Sequence, residues 1–470
     1  MRMKQVQGRS KTTRLLTEGK PWKVLISFAA PIFLSQLFQQ LYNTADSLIV
    51  GNFLGKEALA AVNSSGSLIH LLTSFFVGAS MGAGVVISRY FGAGDHERVS
   101  RAVHTNAVFS LICGIVLSLF GAIMTPQILR WMGVPDDVLP RSTEYLRYYF
   151  TGCVPVVMYN SLKGVMNAVG DSRRPLYYLI VSSILNVLLD LLFVGALGLG
   201  VKWAAIATVL SQTVSAVLCL VQLTRKGTVY QLRWKDLRID GESLKEIVRY
   251  GLPTGVQNSV IGFANVLVQT NINSFGKLAM AACGAYSRIE GFVFLPIMSM
   301  SMALTSYIGQ NLGAKQYDRA KEGARFGILT SVLMAELIGI TAFFFGGVFI
   351  STFIQDADPA AVTEIIAIGS RQFRVESLFY CLLAFSHAVA GICRGAGKAI
   401  VPMLIMLSVW CVLRIIYITV AMQISHEIVL LFAAYPLTWF ISSVIYMIYY
   451  KKSNWVHGFE TDERKKRRNA

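Results

Sequence analysis

The chain repeats itself, and the repeat narrows the folds open to it. Tyr90-Phe91-Gly92-Ala93-Gly94-Asp95-His96-Glu97-Arg98 returns as Asn311-Leu312-Gly313-Ala314-Lys315-Gln316-Tyr317-Asp318-Arg319. Gly164-Val165-Met166-Asn167-Ala168-Val169-Gly170, followed by Pro175, returns as Gly391-Ile392-Cys393-Arg394-Gly395-Ala396-Gly397, followed by Pro402. Pro31 pairs with Pro253, and the landmarks keep one order in both halves. Each copy stands among long apolar segments. Duplicated apolar bundles of this kind are a usual construction of transporters, with the binding site where the repeats meet.

The segments are long enough to cross a bilayer. Hydrophobic residues make up 54% of the chain and charged ones 15%, and the mean hydropathy is +0.53. A membrane helix needs about 20 mostly apolar residues. By that rule about twelve spans are expected. Six fall at 24–48, 58–84, 103–129, 142–163, 175–197 and 202–223, and six at 250–274, 280–308, 326–354, 365–391, 400–422 and 427–450. Lipid offers the backbone no hydrogen bonds, so the expected fold is all-α: an integral membrane protein of two six-helix, pseudo-symmetric lobes. The N-lobe is read as 24–224 and the C-lobe as 250–450. A polar cytoplasmic linker, 225–249, joins them, and cytoplasmic segments 1–23 and 451–470 flank them. Six spans per lobe give both lobes the same orientation, as parallel repeats.

The net charge of +17 reads as a topology signal. Basic residues collect at the start (Arg2 to Lys23), in alternate loops, in the linker, and in the tail at Lys465-Lys466-Arg467-Arg468. The opposite loops hold few bases (Lys56, Arg141, Lys202, Lys277) and some acids (Asp136, Asp137, Asp356, Asp358). The positive-inside rule then places both termini and the linker in the cytoplasm and leaves nucleic-acid binding disfavoured. The seven cysteines lack metal spacing and read as apolar packers. No G-x-x-x-x-G-K-[ST] loop, zinc motif or nucleophile triad is present. Neither ATP, nor a cofactor, nor enzymatic chemistry is expected.

Acids inside a membrane are expensive and mark function by default. Gln39, Asn43 and Asp46 share one helix face, and the matching C-lobe helix has Val268 opposite Asp46. Asn186 and Asp190, at i and i+4, share another face; their counterparts are Leu413 and Tyr417. A carboxylate beside an amide can take a proton or small cation, and a structural, hydrogen-bonded Asp is the alternative. Glu290 lies beside Arg288, and Glu376 near Arg374, so each could be a structural ion pair instead, although adjacent positions face each other poorly. Glu336 is a weaker candidate, and Arg414 a buried base that could pair with a C-lobe acid. Met298, Phe292 and their neighbours suit a cavity for flat organic cations, or are plain core. His70 and His387 read as hydrogen-bonded interior histidines. The arginine-bearing repeated loops read as scaffold, and Pro31 as a shared helix bend.

The chain resembles the MATE (multidrug and toxic compound extrusion) family, within it the bacterial MepA-like branch. The resemblance runs from about Trp22 to Tyr450. It is carried by Pro31-Ile32-Phe33-Leu34-Ser35-Gln36, the stretch Asn43 to Gly55, the repeated loops, Asn167-Ala168-Val169-Gly170-Asp171 with Pro175, and Cys393-Arg394-Gly395-Ala396-Gly397 with Pro402. It implies the MATE fold, two lobes forming a V around a cavity, and export of organic cations in exchange for protons or sodium. It maps coupling onto Asp46, Asn186 and Asp190, drug recognition onto Glu290, and a C-lobe cation site onto Glu376. Beside Glu290, the residues themselves offer Asn43, Gln39, Met298 and Phe292 as substrate-binding candidates. The expected partners are organic cations and membrane lipids, without ATP or nucleic acid. A monomer in the bacterial inner membrane is expected. A flippase for a lipid-linked precursor is the alternative; it would favour a strongly basic cavity, whereas the acids prevail here.

Overall fold

The computed structural model describes residues 15–132, 134, 136, 138–354 and 358–460; within 56–72 the side chains of 56, 57, 59–61, 63–68 and 70–72 are not described. The basic residues expected in 1–14 and 465–468, Asp137, Asp356, and the side chains of Lys56 and His70 lie outside the described residues.

Among the described residues the chain is helical, with no strand. The helices are α1 (Pro21–Leu54), α2 (Lys56–Gly92), α3 (His96–Trp131), α4 (Leu139–Thr151), α5 (Cys153–Ala168), α6 (Arg173–Asp190), α7 (Lys202–Thr224), α8 (Gly241–Asn273), α9 (Lys277–Gly313), α10 (Tyr317–Ser351), α11 (Pro359–Glu376), α12 (Tyr380–Gly395), α13 (Ile400–Met406), α14 (Arg414–Ile424) and α15 (Ile428–Lys452). Their outward faces are apolar. Ile123 and Phe344 are 69% and 73% exposed, which suits a lipid surround and would be costly in water.

Ten helical segments among the described residues are long and apolar enough to span a membrane, against the roughly twelve expected. The two shortfalls have physical causes. The segment expected at 142–163 is broken at Gly152 into α4, of 13 residues, and α5, of 16. The segment expected at 250–274 lies in α8, whose 33 residues are ample. There, Gln257, Asn258, Asn265, Gln269, Asn271 and Asn273 dilute the hydropathy.

The chain forms two compact units. Among the described residues, one takes 15–18 and Ala30–Gly255; the other takes Gly19–Ala29, 256–354 and 358–460. Thus α1 and α8 each change unit along their length, beside Pro31 and Pro253. Inside the first unit, α2 packs on α3, α4 and α5, and α7 on α4, α5 and α6. Inside the second, α9 packs on α10, α11 and α12, and α15 on α11, α12 and α14.

The sequence repeat is a repeat of local geometry. After α2 the Asp95 N–H reaches the Tyr90 carbonyl at 3.0 Å, and after α9 the Gln316 N–H reaches the Asn311 carbonyl at 2.8 Å. Both are helix-ending turns with one residue in the left-handed region: Gly94 at φ 71° in one, Lys315 at φ 58° in the other. Only the glycine copy adopts that φ without a Cβ penalty. Asp95 then starts α3 by accepting the Arg98 N–H at 3.1 Å.

Candidate functional site: two buried acidic clusters

Each unit buries an acidic cluster, and the two are built differently. In the first unit, α1 presents Gln39, Tyr42 and Asp46, with Asp46 9% exposed. α6 presents Asn186 and Asp190 one turn apart, at 1% and 0% exposure. Asp190 is the last α-helical residue before a wider π turn, Leu191–Ala196. Such turns recur at functional sites. α7 closes the group with Thr208 and Gln212.

Asp46 and Asp190 are charge neighbours of each other. Gln212 Nε2 donates to the Tyr42 hydroxyl at 3.2 Å, and Asn186 Nδ2 to Thr208 Oγ1 at 3.5 Å. Tyr145 is a further charge neighbour of both aspartates. Both Asp190 oxygens, Asp46 Oδ1, Asn186 Oδ1 and Gln212 Oε1 are buried without a donor. A buried acceptor without a donor costs about 1–3 kcal/mol. Five of them gathered together form surroundings suited to a proton or a small hard cation, since every available atom is an oxygen. Among the described residues no group of three or more His, Cys, Asp or Glu is placed so as to hold a metal ion.

In the second unit Glu376 ends α11, fully buried. The Tyr286 hydroxyl donates to its Oε2 at 2.9 Å and Gln372 Nε2 to its Oε1 at 2.9 Å. Tyr286 and Tyr380 hydroxyls sit 2.9 Å apart. Glu290 lies one helical turn beyond Tyr286 on α9, half-buried, and is a charge neighbour of Glu376 and Arg414. Arg414 follows a second π turn, Leu407–Leu413. Its Nη2 and Nε donate to Thr438 Oγ1 at 2.8 and 3.2 Å, and its guanidinium carbon sits 4.3 Å from the Tyr435 ring centre. So Glu376 is satisfied by neutral donors and both acids have a nearby cation, whereas the oxygens of the first pair lack donors.

Some expectations need correction. Arg288 and Arg374, weighed as ion-pair partners of Glu290 and Glu376, are both exposed; the basic neighbour of both acids is Arg414. Arg414 itself binds Thr438 and aromatic rings. Asn43 shares a helix with Asp46 but is exposed, while Gln39 is half-buried. His387 is interior, yet rings hold it: Phe294 and Trp410 meet it edge-on at 5.0 and 5.3 Å, and its Nε2 has no hydrogen-bond partner. Phe292 and Met298 lie half-buried along α9 with Glu290, and Pro31 is buried inside α1. The sequence reading missed Thr208, Gln212 and Tyr145 in the first unit and Tyr286, Gln372, Tyr380 and Thr438 in the second. A signal did exist for one pair: Thr208 and Gln212 stand at i and i+4, like Asn186 and Asp190.

The MatE family model matches residues 31–192 and 253–420, one copy in each half of the chain. The chain belongs to the MATE family. A relative from Bacillus subtilis, the probable multidrug resistance protein YoeA, is 29% identical over 92% of this chain and 95% of its own. The multidrug export protein MepA of Staphylococcus saprophyticus is 22% identical over 80% of this chain and 82% of its own. Among solved structures, a MOP superfamily transporter from Pyrococcus furiosus superposes with a TM-score of 0.87 at 23% identity, covering 94% of this chain and 97% of that one. At that identity the likeness shows the fold, and the fold is the MATE fold. This MATE protein is a multi-pass membrane protein of a multidrug transporter family.

Proposed function

We propose that this MATE protein exports lipophilic organic cations across the bacterial inner membrane in exchange for protons or sodium, by alternating access. The observation that carries the reading is the first-unit cluster: two neighbouring buried carboxyl groups with acceptor oxygens unmatched by any donor. A positively charged partner is what such a group needs, and an exchanger needs that partner to come and go. The printed names of relatives, a probable multidrug resistance protein and a multidrug export protein, support the cargo class.

In this reading Asp46, Asn186 and Asp190 hold the coupling ion. Glu290, with Gln39, Asn43, Phe292 and Met298, receives the cargo: a carboxylate for its charge, a ring and a thioether for its body. Glu376 is a second cation position, and Pro31 lets α1 bend. No cofactor or ATP takes part. The protein works as a monomer among membrane lipids, with both termini in the cytoplasm, as its basic loops direct.

Asp190→Asn keeps the shape of the side chain and removes its ability to hold a proton or cation. In an efflux-deficient host, ethidium efflux by this variant should drop to the level of cells lacking the transporter while the protein accumulates normally. Wild-type efflux by Asp190→Asn would remove the cluster from the mechanism.

A further inference from the structure

We propose that a groove on the first unit, which shares no residue with either acidic cluster, is a seat for one acyl chain of a bilayer phospholipid. The groove lies among α2, α3, α5 and the first turns of α8. Phe75 and Phe76, whose rings meet edge-on at 5.4 Å, form one wall with Phe109. Leu252 and Cys113 also line the groove. Most of its polar lining is already used: Asn106 and Ser110 bond Ser161, at 2.7 and 2.6 Å. Apart from Ser80, what remains is aromatic and aliphatic.

The groove is built beside a very close helix crossing. Gly82 and Gly251 bring the backbones of α2 and α8 together so tightly that a Cβ on Gly82 would sit 2.2 Å from the Gly251 nitrogen. Helices pinned there leave room for the bulky rings at their flank. The empty space is about 510 Å³ counted out to the mouth.

Two further facts choose the occupant. The residues flanking the mouth are apolar and outward: Leu111, Ile112 and Leu252 are 42%, 45% and 47% exposed. The groove is therefore continuous with the lipid-facing surface, so the chains next to it are acyl chains. Second, the surrounding charge favours no one head group. Around the starts of α3 and α8, Arg98, Arg101, Arg238, Lys245 and Arg249 are matched by Asp95, Glu97, Asp240, Glu242 and Glu246. Recognition is thus of the chain. Its source is packing, because atoms lining an unfilled gap forfeit dispersion contacts that a methylene chain restores.

This inference does not depend on the export reading, and it is tested without transport. The full-length protein is placed in lipid nanodiscs containing a phosphatidylcholine with a diazirine midway along one acyl chain, then irradiated and mapped by peptide mass spectrometry. The expected result is label at 75–80 and 106–113, roughly fivefold over the open lipid face of α3 at Ile115, Leu119 and Ile123, the scale that about ten added dispersion contacts give. Leu252→Trp, a change at an exposed position that narrows the mouth, should abolish the excess and leave label on the open face unchanged. Label no denser in the groove than on the open face would overturn the proposal. So would displacement of the groove label by ethidium, which would make the groove a cargo subsite.

Discussion

Gly251→Ala is the sharpest structural perturbation available, because its control stands on the partner helix. A Cβ on Gly251 would lie 2.5 Å from the Ala79 carbonyl oxygen and 3.1 Å from Ala79 Cα. Both are backbone atoms, so no side chain can swing away. To reach ordinary contact the helices must part by roughly 1 Å, and overpacking of this kind costs about 1–3 kcal/mol. Close approach through small residues is also the main source of helix association in lipid, so the loss spreads along the crossing. Against this stands the helix-propensity gain of alanine over glycine, up to about 1 kcal/mol. Gly84→Ala carries the same gain, but its Cβ would meet nothing nearer than the Gly164 oxygen at 3.8 Å. The difference between the two variants therefore isolates the crossing. Thermal unfolding of the purified protein in one detergent should place Gly251→Ala several degrees below Gly84→Ala, at about 2–4 °C per kcal/mol for a unit of this size. Equal midpoints would refute the close approach and the reasoning from it.

Three other outcomes follow from the described contacts. Tyr286→Phe removes the hydroxyl that donates to Glu376; it should lower stability by about 1–3 kcal/mol, and Tyr286→Phe combined with Glu376→Gln should be less than additive in unfolding measurements. Thr438→Val takes away the oxygen that accepts two N–H bonds from Arg414; in the same assay it should cost more than Thr341→Val, whose hydroxyl is exposed and bonds only its own helix. Asp240 lies outside the spanning segments, and the Ser243 hydroxyl and N–H, at 2.7 and 2.9 Å, hold its carboxyl below the usual carboxylate range. A lowered folded-state pKa adds stability above the unfolded value of about 3.9 and loses it as pH falls through the folded value. Protection of the Ser243 and Leu244 amides in hydrogen exchange should accordingly hold at neutral pH and fade below about pH 4, and Ser243→Ala should weaken it at neutral pH already.

What the sequence made legible were the features that are costly in a membrane. Asp46, Asp190, Glu290, Glu376 and Arg414 stand out in any apolar stretch because each charge must be compensated, and i, i+4 spacing put Asn186 with Asp190. The neutral partners were hidden for the same reason. Thr208, Gln212, Tyr286 and Gln372 cost little to place in a span, so nothing separated them from ordinary helix residues until the helices were packed. Adjacent arginines misled: Arg288 and Arg374 are neighbours in sequence to the acids, but the helix turns them outward, and Arg414 supplies the charge from elsewhere. The π turns at 191–196 and 407–413 were also invisible, because they interrupt runs of apolar residues without changing the hydropathy. The twofold repeat carried the fold further than any single residue did, since glycines and turns at matching positions encode one geometry twice.

The central claim is that a buried acidic cluster couples export to an ion gradient. Ethidium flux should be measured in proteoliposomes under an imposed pH gradient without sodium, and separately under a sodium gradient without a pH difference, for the wild type and Asp190→Asn. The account predicts uphill flux under one of the two gradients and none from Asp190→Asn under either. Flux under neither gradient by the wild type, or equal flux by the variant, would contradict it.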